Sequence, residues 1–310
     1  MESPFAQAIA SIATDNRLGA AQIAERAADI LLKRATAGEP ASPDAFRQEL
    51  LATGWALIQA QPAMAPLVNL VNAVLWKAEE SDSPRELRSA VAQATEAFKR
   101  QLKQHAVHVA EGALALINDG QTIVTISYST TVLRALVHAQ RAGRRFSVIC
   151  AESRPVFEGR QTAAALASYG IPVRLVVDAA AMHAVAEAQM VLVGADLLSM
   201  RGLVNKVGTH ALAAVARGLD VPFYTLCGSE KFLPPGFTPL PQSDWPAEEV
   251  WPDAPPGVTV QNRYFDTTPL ELLAGIVTEQ GTLPVAAIEA WLAATKLHPA
   301  LAAPPTHTVH

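Results

Sequence analysis

A carboxylate, a carboxamide and an ammonium group follow a single apolar segment of this chain. The segment 191–193 runs into Gly194-Ala195-Asp196, and Asn205 and Lys206 come nine and ten residues after the aspartate. If the segment is a parallel strand, these groups lie beyond its carboxyl end, where open α/β sheets bind their ligands. Asp196 then suits a general acid or base, or a carboxylate that holds sugar hydroxyls. An aspartate that caps the following helix fits the same pattern.

Asn205 and Lys206 belong to the sequence Asn205-Lys206-Val207-Gly208-Thr209, which precedes a segment of helical spacing. The free backbone N–H groups and the dipole at a helix N-terminus attract an anion, and Lys206 adds a point charge there. We therefore predict an anion site at the start of this helix. A surface lysine beside an ordinary helix cap is the alternative.

Hydroxyl groups and an arginine follow two other predicted strands. Ser129, Thr130 and Thr131 stand between an apolar segment and a helical one, which predicts a phosphate-binding loop at a helix N-terminus. This loop has neither the Gly-x-Gly-x-x-Gly of dinucleotide sites nor the lysine of a P-loop. Arg154 follows the next strand in Glu152-Ser153-Arg154-Pro155, where a Glu–Arg surface pair is the alternative to ligand binding. Polar groups thus collect at several strand ends of one predicted edge.

The elements that carry these residues follow from the spacing of apolar positions. Residues 5–117 show helical spacing, as in Leu87, Val91 and Phe98, and turn residues divide them into several helices. After residue 117 short apolar segments alternate with helical ones, which predicts a doubly wound, mostly parallel α/β sheet. The predicted strands are 122–126, 146–150, 173–177, 190–193 and 223–226, and the predicted helices are 130–142, 159–169, 179–188 and 209–218.

We predict a helical domain over residues 1–117, whose long last helix leads into the α/β domain over residues 118–296. A flexible, Pro/Ala-rich tail is predicted over residues 297–310. The segment 233–257 is rich in proline and cannot form regular structure. Its residues Trp245 and Trp251 indicate loop packing or a dimer contact in preference to ligand recognition. After this segment we predict a strand over 258–264 and a helix over 269–279.

The composition excludes several classes of function. With 24 basic and 29 acidic residues the net charge is −5, so the chain has no general attraction to nucleic acid or to an anionic membrane. Cys150 and Cys227 lie in apolar segments, as buried cysteines do, and they predict neither a disulfide framework nor a zinc site. We predict no metal and no cofactor. The sequence shows neither a signal peptide nor an apolar segment long enough to span a bilayer, which predicts a cytoplasmic protein.

Several motifs together are similar to those of one superfamily. They are Ser127-Tyr128-Ser129, Glu152-Ser153-Arg154-Pro155, Glu158-Gly159-Arg160, residues 168–173, Gly194-Ala195-Asp196, Asn205-Lys206-Val207-Gly208-Thr209, Lys231-Phe232 and Phe265-Asp266-Thr267-Thr268-Pro269. With all motifs in order, residues 85–280 resemble the superfamily of the alpha, beta and delta regulatory subunits of translation initiation factor 2B, ribose-1,5-bisphosphate isomerase and methylthioribose-1-phosphate isomerase. The resemblance implies an N-terminal helical domain, a Rossmann-like C-terminal domain, and a homodimer formed through the latter or a higher oligomer.

The resemblance also implies which residues form the site. In the isomerases a cysteine and an aspartate convert a ring-opened sugar phosphate into a ketose, while lysine, asparagine and arginine side chains hold its phosphate and hydroxyls. Asp196 matches the catalytic aspartate, and the matching ligand-binding positions are Asn205, Lys206, Lys231, Ser129, Thr130 and Thr131. Ser127 stands where the isomerases have the cysteine. A thiol has a pKa of about 8.5, whereas a serine hydroxyl without a partner is far too weak an acid or base.

The helical domain departs from the isomerase pattern as well. The Arg-Gly-Ala phosphate motif of the isomerases corresponds to Leu18-Gly19-Ala20, with Arg17 displaced by one residue, and Gln61 replaces a second arginine. One residue turns a side chain about 100° around a helix, so Arg17 need not reach the same ligand. Gly19 and Ala20 remain candidate ligand-binding residues.

From these features we predict an initiation-factor-2B-like protein that binds a phosphorylated sugar or a nucleotide in the crevice between the domains, with a regulatory or binding role. The alternative is an aldose–ketose isomerase for a sugar 1-phosphate, in which Asp196 acts with Ser127 or with another group. Regulation of guanine-nucleotide exchange through a protein partner is a third hypothesis, which is based on analogy alone. The loop with Trp245 and Trp251 is the candidate surface for such a partner.

Overall fold

The structure, a computed structural model, describes residues 4–16, 18–37, 42–80, 82–240 and 244–303. These residues divide into two units. Unit 1 contains the described residues up to Lys103 together with residues 230–240 and 290–303, and unit 2 contains residues 104–229 and 244–289. Unit 1 therefore includes two late segments that lie outside the predicted helical domain of residues 1–117.

Unit 1 is built from helices, as the apolar spacing predicts. They are α1 (Pro4–Ala13), α2 (Ala20–Thr36), α3 (Pro43–Ala60), α4 (Ala65–Ala78) and the long α5 (Pro84–Ala113), which continues into unit 2. Ser42 caps α3 by accepting a hydrogen bond from a first-turn N–H, and Ser83 accepts one from Glu86 at the start of α5. Leu87 and Val91 are fully buried, so the predicted apolar stripe of α5 packs inward.

Unit 2 contains two sheets. The strands are β1 (Thr122–Thr125), β2 (Ser147–Ala151), β3 (Val173–Val176), β4 (Met190–Val193), β5 (Leu197–Ser199), β6 (Gly202–Lys206), β7 (Phe223–Leu226), β8 (Phe265–Thr268), β9 (Gly275–Thr278) and β10 (Gly281–Leu283). The larger sheet has the order β10-β9-β7-β4-β1-β2-β3, and the smaller one has the order β5-β6-β8. The larger sheet is parallel except for β10, and the smaller one is antiparallel. The helices are α6 (Thr130–Arg141), α7 (Glu158–Ser168), α8 (Asp178–Ala184), α9 (Thr209–Gly218) and α10 (Val285–Ala294), the last of which continues into unit 1.

The predicted fold class, a helical N-terminal region followed by a doubly wound and mostly parallel sheet, is confirmed. Ile123 of β1, Leu192 of β4 and Leu136 of α6 belong to one apolar cluster and are fully buried. Strands of a parallel sheet form continuous apolar segments because both faces of such a sheet are covered. The core thus holds β1 and β4 side by side, with their carboxyl ends at the same edge.

Some predictions for the later part of unit 2 are wrong. Residues 258–264, predicted as a strand, have no regular structure, and β8 begins at Phe265. Residues 269–279, predicted as a helix, contain a short 3₁₀ turn and the strand β9. Short apolar segments fit strand and helix spacing alike. Pairing with β7 is what makes the segment Gly275–Thr278 a strand. The hairpin of β5 and β6 lies where the sequence indicated only a connection.

The described part of the predicted tail, residues 297–303, is packed within unit 1. Leu301 is fully buried, and the N–H of His298 donates to Asn72 Oδ1 at 2.7 Å. These contacts correct the prediction of a flexible segment from residue 297, while residues 304–310 lie outside the described residues. Within the described part of the chain, no helix is both long enough and apolar enough to cross a membrane.

Gly159, the second residue of α7, brings this helix against the end of β2. A Cβ atom added at Gly159 would overlap the carbonyl oxygen of Ala151, so the position requires glycine. We expect Gly159→Ala to lower the free energy of unfolding by about 2 kcal/mol, because backbone atoms must move apart. Gly218→Ala is the matched control, since no atom lies within 4 Å of a Cβ atom there. Urea unfolding measures both variants, and equal stability would contradict this packing.

Candidate functional site

The candidate site lies where the order of the larger sheet reverses. From β1 the chain moves to β2 and β3 on one side, and from β4 it moves to β7 and β9 on the other. In sheets of this kind the crevice outside the carboxyl ends of the two central strands is the ligand-binding position. The segments that leave β1 and β4 at this edge carry the predicted residues Ser127 to Thr131 and Gly194 to Asp196.

Close packing brings together groups from three strand ends. A Cβ atom on Gly194 would lie 2.5 Å from Ser129 Oγ and 4.0 Å from Asn205 Oδ1, so the missing side chain makes room for both polar groups. Asn205 Nδ2 also donates to Thr209 Oγ1 at 3.1 Å. Asp196 follows two residues after Gly194, is partly buried, and donates its backbone N–H to Val204. Ser129, Asn205 and the segment that bears Asp196 therefore meet at one place.

Ser127 occupies a strained turn whose backbone is fixed from two sides. Its φ is 66°, a left-handed conformation that costs a non-glycine residue about 1 kcal/mol. The N–H of Ser127 donates to Ser153 Oγ at 2.7 Å, and its carbonyl oxygen accepts from Thr162 Oγ1 at 2.6 Å. Ser153, itself at φ 65°, donates its N–H to Asp178 Oδ1 at 2.7 Å. Within the described ranges, no hydrogen bond joins the Ser127 hydroxyl to another residue.

The hydroxyl loop leads into an open helix N-terminus. Ser129 is the N-cap of α6, and its Oγ accepts from the N–H of Val132 at 3.3 Å. Thr130 and Thr131 form the first positions of this helix and are partly exposed. Their N–H groups make no hydrogen bond to any part of the chain that the structure describes. This helix start can therefore bind an anion with its backbone N–H groups.

The start of α9, in contrast, is occupied by a carboxylate of the chain itself. The N–H of Gly208 donates to Asp266 Oδ2 at 2.7 Å, and the N–H of His210 donates to both carboxylate oxygens at 3.2 and 3.3 Å. Burial raises the pKa of Asp266, and the two N–H groups oppose this shift. The anion that the sequence predicted at this helix N-terminus is thus the side chain of Asp266.

Lys206 ends β6 and forms a buried ion pair. Its Nζ lies 2.8 Å from Glu158 Oε1, and the two side chains are 3% and 11% exposed. The ring of Tyr264 lies 4.6 Å from the same Nζ atom. Burial raises the pKa of Glu158, and the charge of Lys206 opposes that shift. Lys206 was predicted to offer its charge to a ligand, and in the structure Glu158 has taken that position.

Arg154 is exposed and lies against the proline-rich loop. Its Nη2 donates to the carbonyl oxygen of Val250 at 3.1 Å, and its guanidinium lies 5.0 Å from the ring of Phe157. Glu152, considered as its partner in a surface pair, instead binds Arg160 at 2.9 Å. Arg154 as a ligand-binding residue stays a prediction.

Three predicted site residues, Gly19, Ala20 and Lys231, belong to unit 1, and the others belong to unit 2. Gly19 is the N-cap of α2 and Ala20 is its first residue, while Lys231 ends a short 3₁₀ turn and is buried. Gln61, at the position of an isomerase arginine, donates to the carbonyl oxygens of Ile12 and Asp15 and so supports the fold. Arg17 lies outside the described residues.

No thiol takes over the role of the missing cysteine within the described residues. Burial raises the pKa of Cys150 to about 12, so its thiol stays protonated at neutral pH, and Cys227 is buried as well. The described His, Cys, Asp and Glu side chains also include no group of three or more that could hold a metal ion. The chemistry available at this edge is that of hydroxyls, amides, carboxylates and paired lysine.

Sequence reasoning missed four residues that shape the site, namely Ser153, Glu158, Asp178 and Asp266. Ser153, Glu158 and Asp266 all stand in motifs that carried the family resemblance, which was the available signal. Their partners, however, lie 26, 48 and 58 residues away in the chain. No local spacing rule connects residues so far apart.

Ser153 provides a direct test of how the Ser127 turn is held. We expect Ser153→Ala to lower the free energy of unfolding by about 1–3 kcal/mol, because the N–H of Ser127 loses its acceptor in a partly buried position. Ser168→Ala is the control, since Ser168 is exposed and its hydroxyl bonds only within its own helix. Urea unfolding distinguishes the two, and an unchanged Ser153→Ala protein would contradict the tether.

Comparison with known proteins supplies the family. The sequence model of the initiation factor 2 subunit family matches residues 16–285. The chain is 34% identical over 273 residues to ribose 1,5-bisphosphate isomerase of Archaeoglobus fulgidus. The matched region covers 86% of this chain and 85% of that protein. It is 32% identical over 297 residues to methylthioribose-1-phosphate isomerase of Geobacillus kaustophilus, with coverage of 88% and 82%.

A solved structure agrees with this relationship. The structure of translation initiation factor eIF-2B from Pyrococcus horikoshii OT3 matches with a TM-score of 0.79 at 27% identity, over 92% of this chain and 98% of that one. The family model covers well over half of the present chain, and its region includes all the motifs that carried the resemblance. The chain therefore belongs to the initiation factor 2 subunit family.

Proposed function

We propose that this chain binds a phosphorylated sugar, or a nucleotide, at the carboxyl ends of β1 and β4 and serves as a binding or regulatory member of its family. The observation that carries the proposal is the Ser127 turn, whose backbone is fixed by Ser153 and Thr162. The family resemblance matches Ser127 to the position of the isomerase cysteine. It offers a hydroxyl that no described side chain activates. The site keeps groups that can hold a sugar phosphate but lacks the thiol.

The phosphate group of the ligand binds at the start of α6 in this proposal. The N–H groups of Thr130 and Thr131 are open there, and the hydroxyls of the same residues can donate further hydrogen bonds. The helix has 12 residues, enough for a dipole that favours an anion at its first turn. The start of α9 cannot take this role because Asp266 occupies it.

The sugar hydroxyls face the segment after β4. Asp196 supplies carboxylate acceptors, and Asn205 supplies an amide oxygen close to Gly194. The lack of a side chain at Gly194 leaves the backbone accessible beside Ser129. Gly19, Ala20 and Lys231 remain predicted contacts on the strength of the family motifs, as does Arg154.

Turnover of the ligand requires a proton to move between neighbouring carbons of the opened sugar. In the isomerases the resemblance assigns this step to a cysteine together with an aspartate. A serine hydroxyl needs an adjacent base to act in the same way, because its own pKa lies far above that of a thiol. With the Cys150 pKa raised to about 12, that thiol cannot substitute either.

The phosphate position can be tested by placing a carboxylate on it. Thr131→Asp puts a negative charge at the open helix start, where it stabilises the helix but repels a phosphate. We expect binding of ribose 1-phosphate to weaken by about tenfold or more, with the melting temperature unchanged or raised. Isothermal titration calorimetry measures the affinity, and Thr131→Ser is the control. Unchanged affinity in Thr131→Asp would place the phosphate elsewhere.

A second candidate function is aldose–ketose isomerisation of a sugar phosphate. The relatives named as ribose 1,5-bisphosphate and methylthioribose-1-phosphate isomerases favour it, and so does the retained Asp196. In this case Asp196 moves the proton, and Ser127 or another group assists it.

Ketose formation from ribose 1-phosphate, ribose 1,5-bisphosphate and methylthioribose 1-phosphate separates the two functions. We expect the wild-type protein to bind at least one of them without turnover, and we expect Ser127→Cys to raise ketose formation because it restores a thiol of pKa about 8.5. Ser168→Cys, on the exposed end of α7, is the control. Turnover by the wild type that disappears in Asp196→Asn would overturn the binding role.

The homodimer through residues 118–296 stays part of the proposal. Within that segment Trp245 stacks on Tyr264, with ring centres 4.2 Å apart and planes inclined by 6°, so it contributes to loop packing. Trp251 is 47% exposed and is the more suitable of the two for a contact with a second copy.

A further inference from the structure

The end of β6 adjoins the crevice, but carboxylates of the chain itself neutralise the positive charge there. Lys206 and the start of α9 are the two sources of positive charge in this segment, and each is bound to a carboxylate, Glu158 and Asp266 respectively. An incoming phosphate would have to displace a buried carboxylate from a buried ammonium group. The cluster therefore opposes a second anion.

Glu158 also brings an unused hydrogen-bonding atom. Its Oε1 binds Lys206, whereas its Oε2 is buried and has no hydrogen-bond partner among the residues that the structure describes. A buried carboxylate oxygen without a donor is costly, so a hydroxyl or N–H group that reaches it gains more than it would at the surface. Glu158 begins α7, which Gly159 holds against the end of β2, at the same edge of the sheet.

The neighbouring residue connects this pair to the site. Asn205, which precedes Lys206, lies close to Gly194 at the carboxyl end of β4. Asn205 and Lys206 point to opposite faces of β6, because adjacent residues of a strand alternate. Charge nevertheless acts over several ångströms in a partly buried region, so pairing of Lys206 with Glu158 changes the electrostatic potential at Asn205.

We propose that Glu158 is a specificity-determining residue that neutralises Lys206, so that this side of the crevice accepts neutral hydrogen-bond donors and the ligand carries one phosphate group, not two. The proposal rests on the proposed function, in which the single phosphate binds at α6. It goes further by assigning the ligand to the sugar monophosphates. Bisphosphates are discriminated against because their second anion meets a neutral pair and the carboxylate of Asp266.

The test compares ribose 1-phosphate with ribose 1,5-bisphosphate by isothermal titration calorimetry. The wild type is expected to bind the bisphosphate at least about threefold more weakly than the monophosphate, since the second phosphate meets the neutral Glu158–Lys206 pair and the carboxylate of Asp266 and gains no free cation. Glu158→Gln keeps the shape of the side chain, frees the charge of Lys206, and is expected to shift the ratio toward the bisphosphate by about tenfold. Glu152→Gln is the matched control, because Glu152 pairs with the exposed Arg160, and it should leave the ratio unchanged.

A double variant controls for the unpaired lysine. Glu158→Gln combined with Lys206→Met removes both charges and is expected to restore the wild-type ratio. A ratio in Glu158→Gln equal to that of the wild type overturns the proposal. A wild-type protein that binds the bisphosphate as tightly as the monophosphate, or more tightly, overturns it too, and this measurement requires no variant.

Sulfate separates this proposal from the proposed function. It keeps its double charge across neutral pH and needs no sugar site. Because the start of α6 is the same in all three proteins, a difference between them in stabilisation by sulfate reports on the charge of Lys206. We expect sulfate to raise the melting temperature of Glu158→Gln more than that of the wild type or the double variant. If no sugar phosphate binds any of the proteins, the proposed function fails. Equal stabilisation of all three by sulfate would then overturn the role of Glu158 as well.

Discussion

The parallel pairing of β1 with β4 is the constraint on which the rest of unit 2 depends. Ile123 faces Met190 and Val124 faces Val191 in this pair, and both strands are buried at the centre of the sheet. The chain leaves the two strands in opposite directions, so their carboxyl ends cannot be covered by one crossover helix. The crevice is thus a consequence of topology, and side chains only determine what it can hold.

Charge in this crevice is distributed unevenly between two helix starts. The start of α6 has a serine cap and open N–H groups, whereas the start of α9 is bound by Asp266 and lies beside the Glu158–Lys206 pair. Both helices begin at the same edge of the sheet and have similar backbone dipoles. Their different capacity for an anion comes from two acidic residues supplied by distant parts of the chain.

The sequence predicted those features that depend on local periodicity. Continuous apolar segments located β1, β2, β3, β4 and β7, and helical spacing located the helices between them. It failed at β9, where four residues fit either period, and at the β5–β6 hairpin, in which β6 pairs with β8 from much later in the chain. At the site the sequence predicted Asp196, Ser129 and Asn205 at the same edge of the sheet. It could not foresee that Lys206 and the start of α9 are already paired, because those partners are set by tertiary packing alone.

Gly194 and Ser129 constrain how this family member can change over evolutionary time. Ser129 both caps α6 and fills the space that a side chain at position 194 would need. A lineage that acquires a larger residue at 194 must lose or move the cap, and a lineage that keeps the cap must keep the glycine. The two positions, 65 residues apart, should therefore vary together among descendants of this sequence. Substitutions at either one alone are the ones that natural selection is expected to remove.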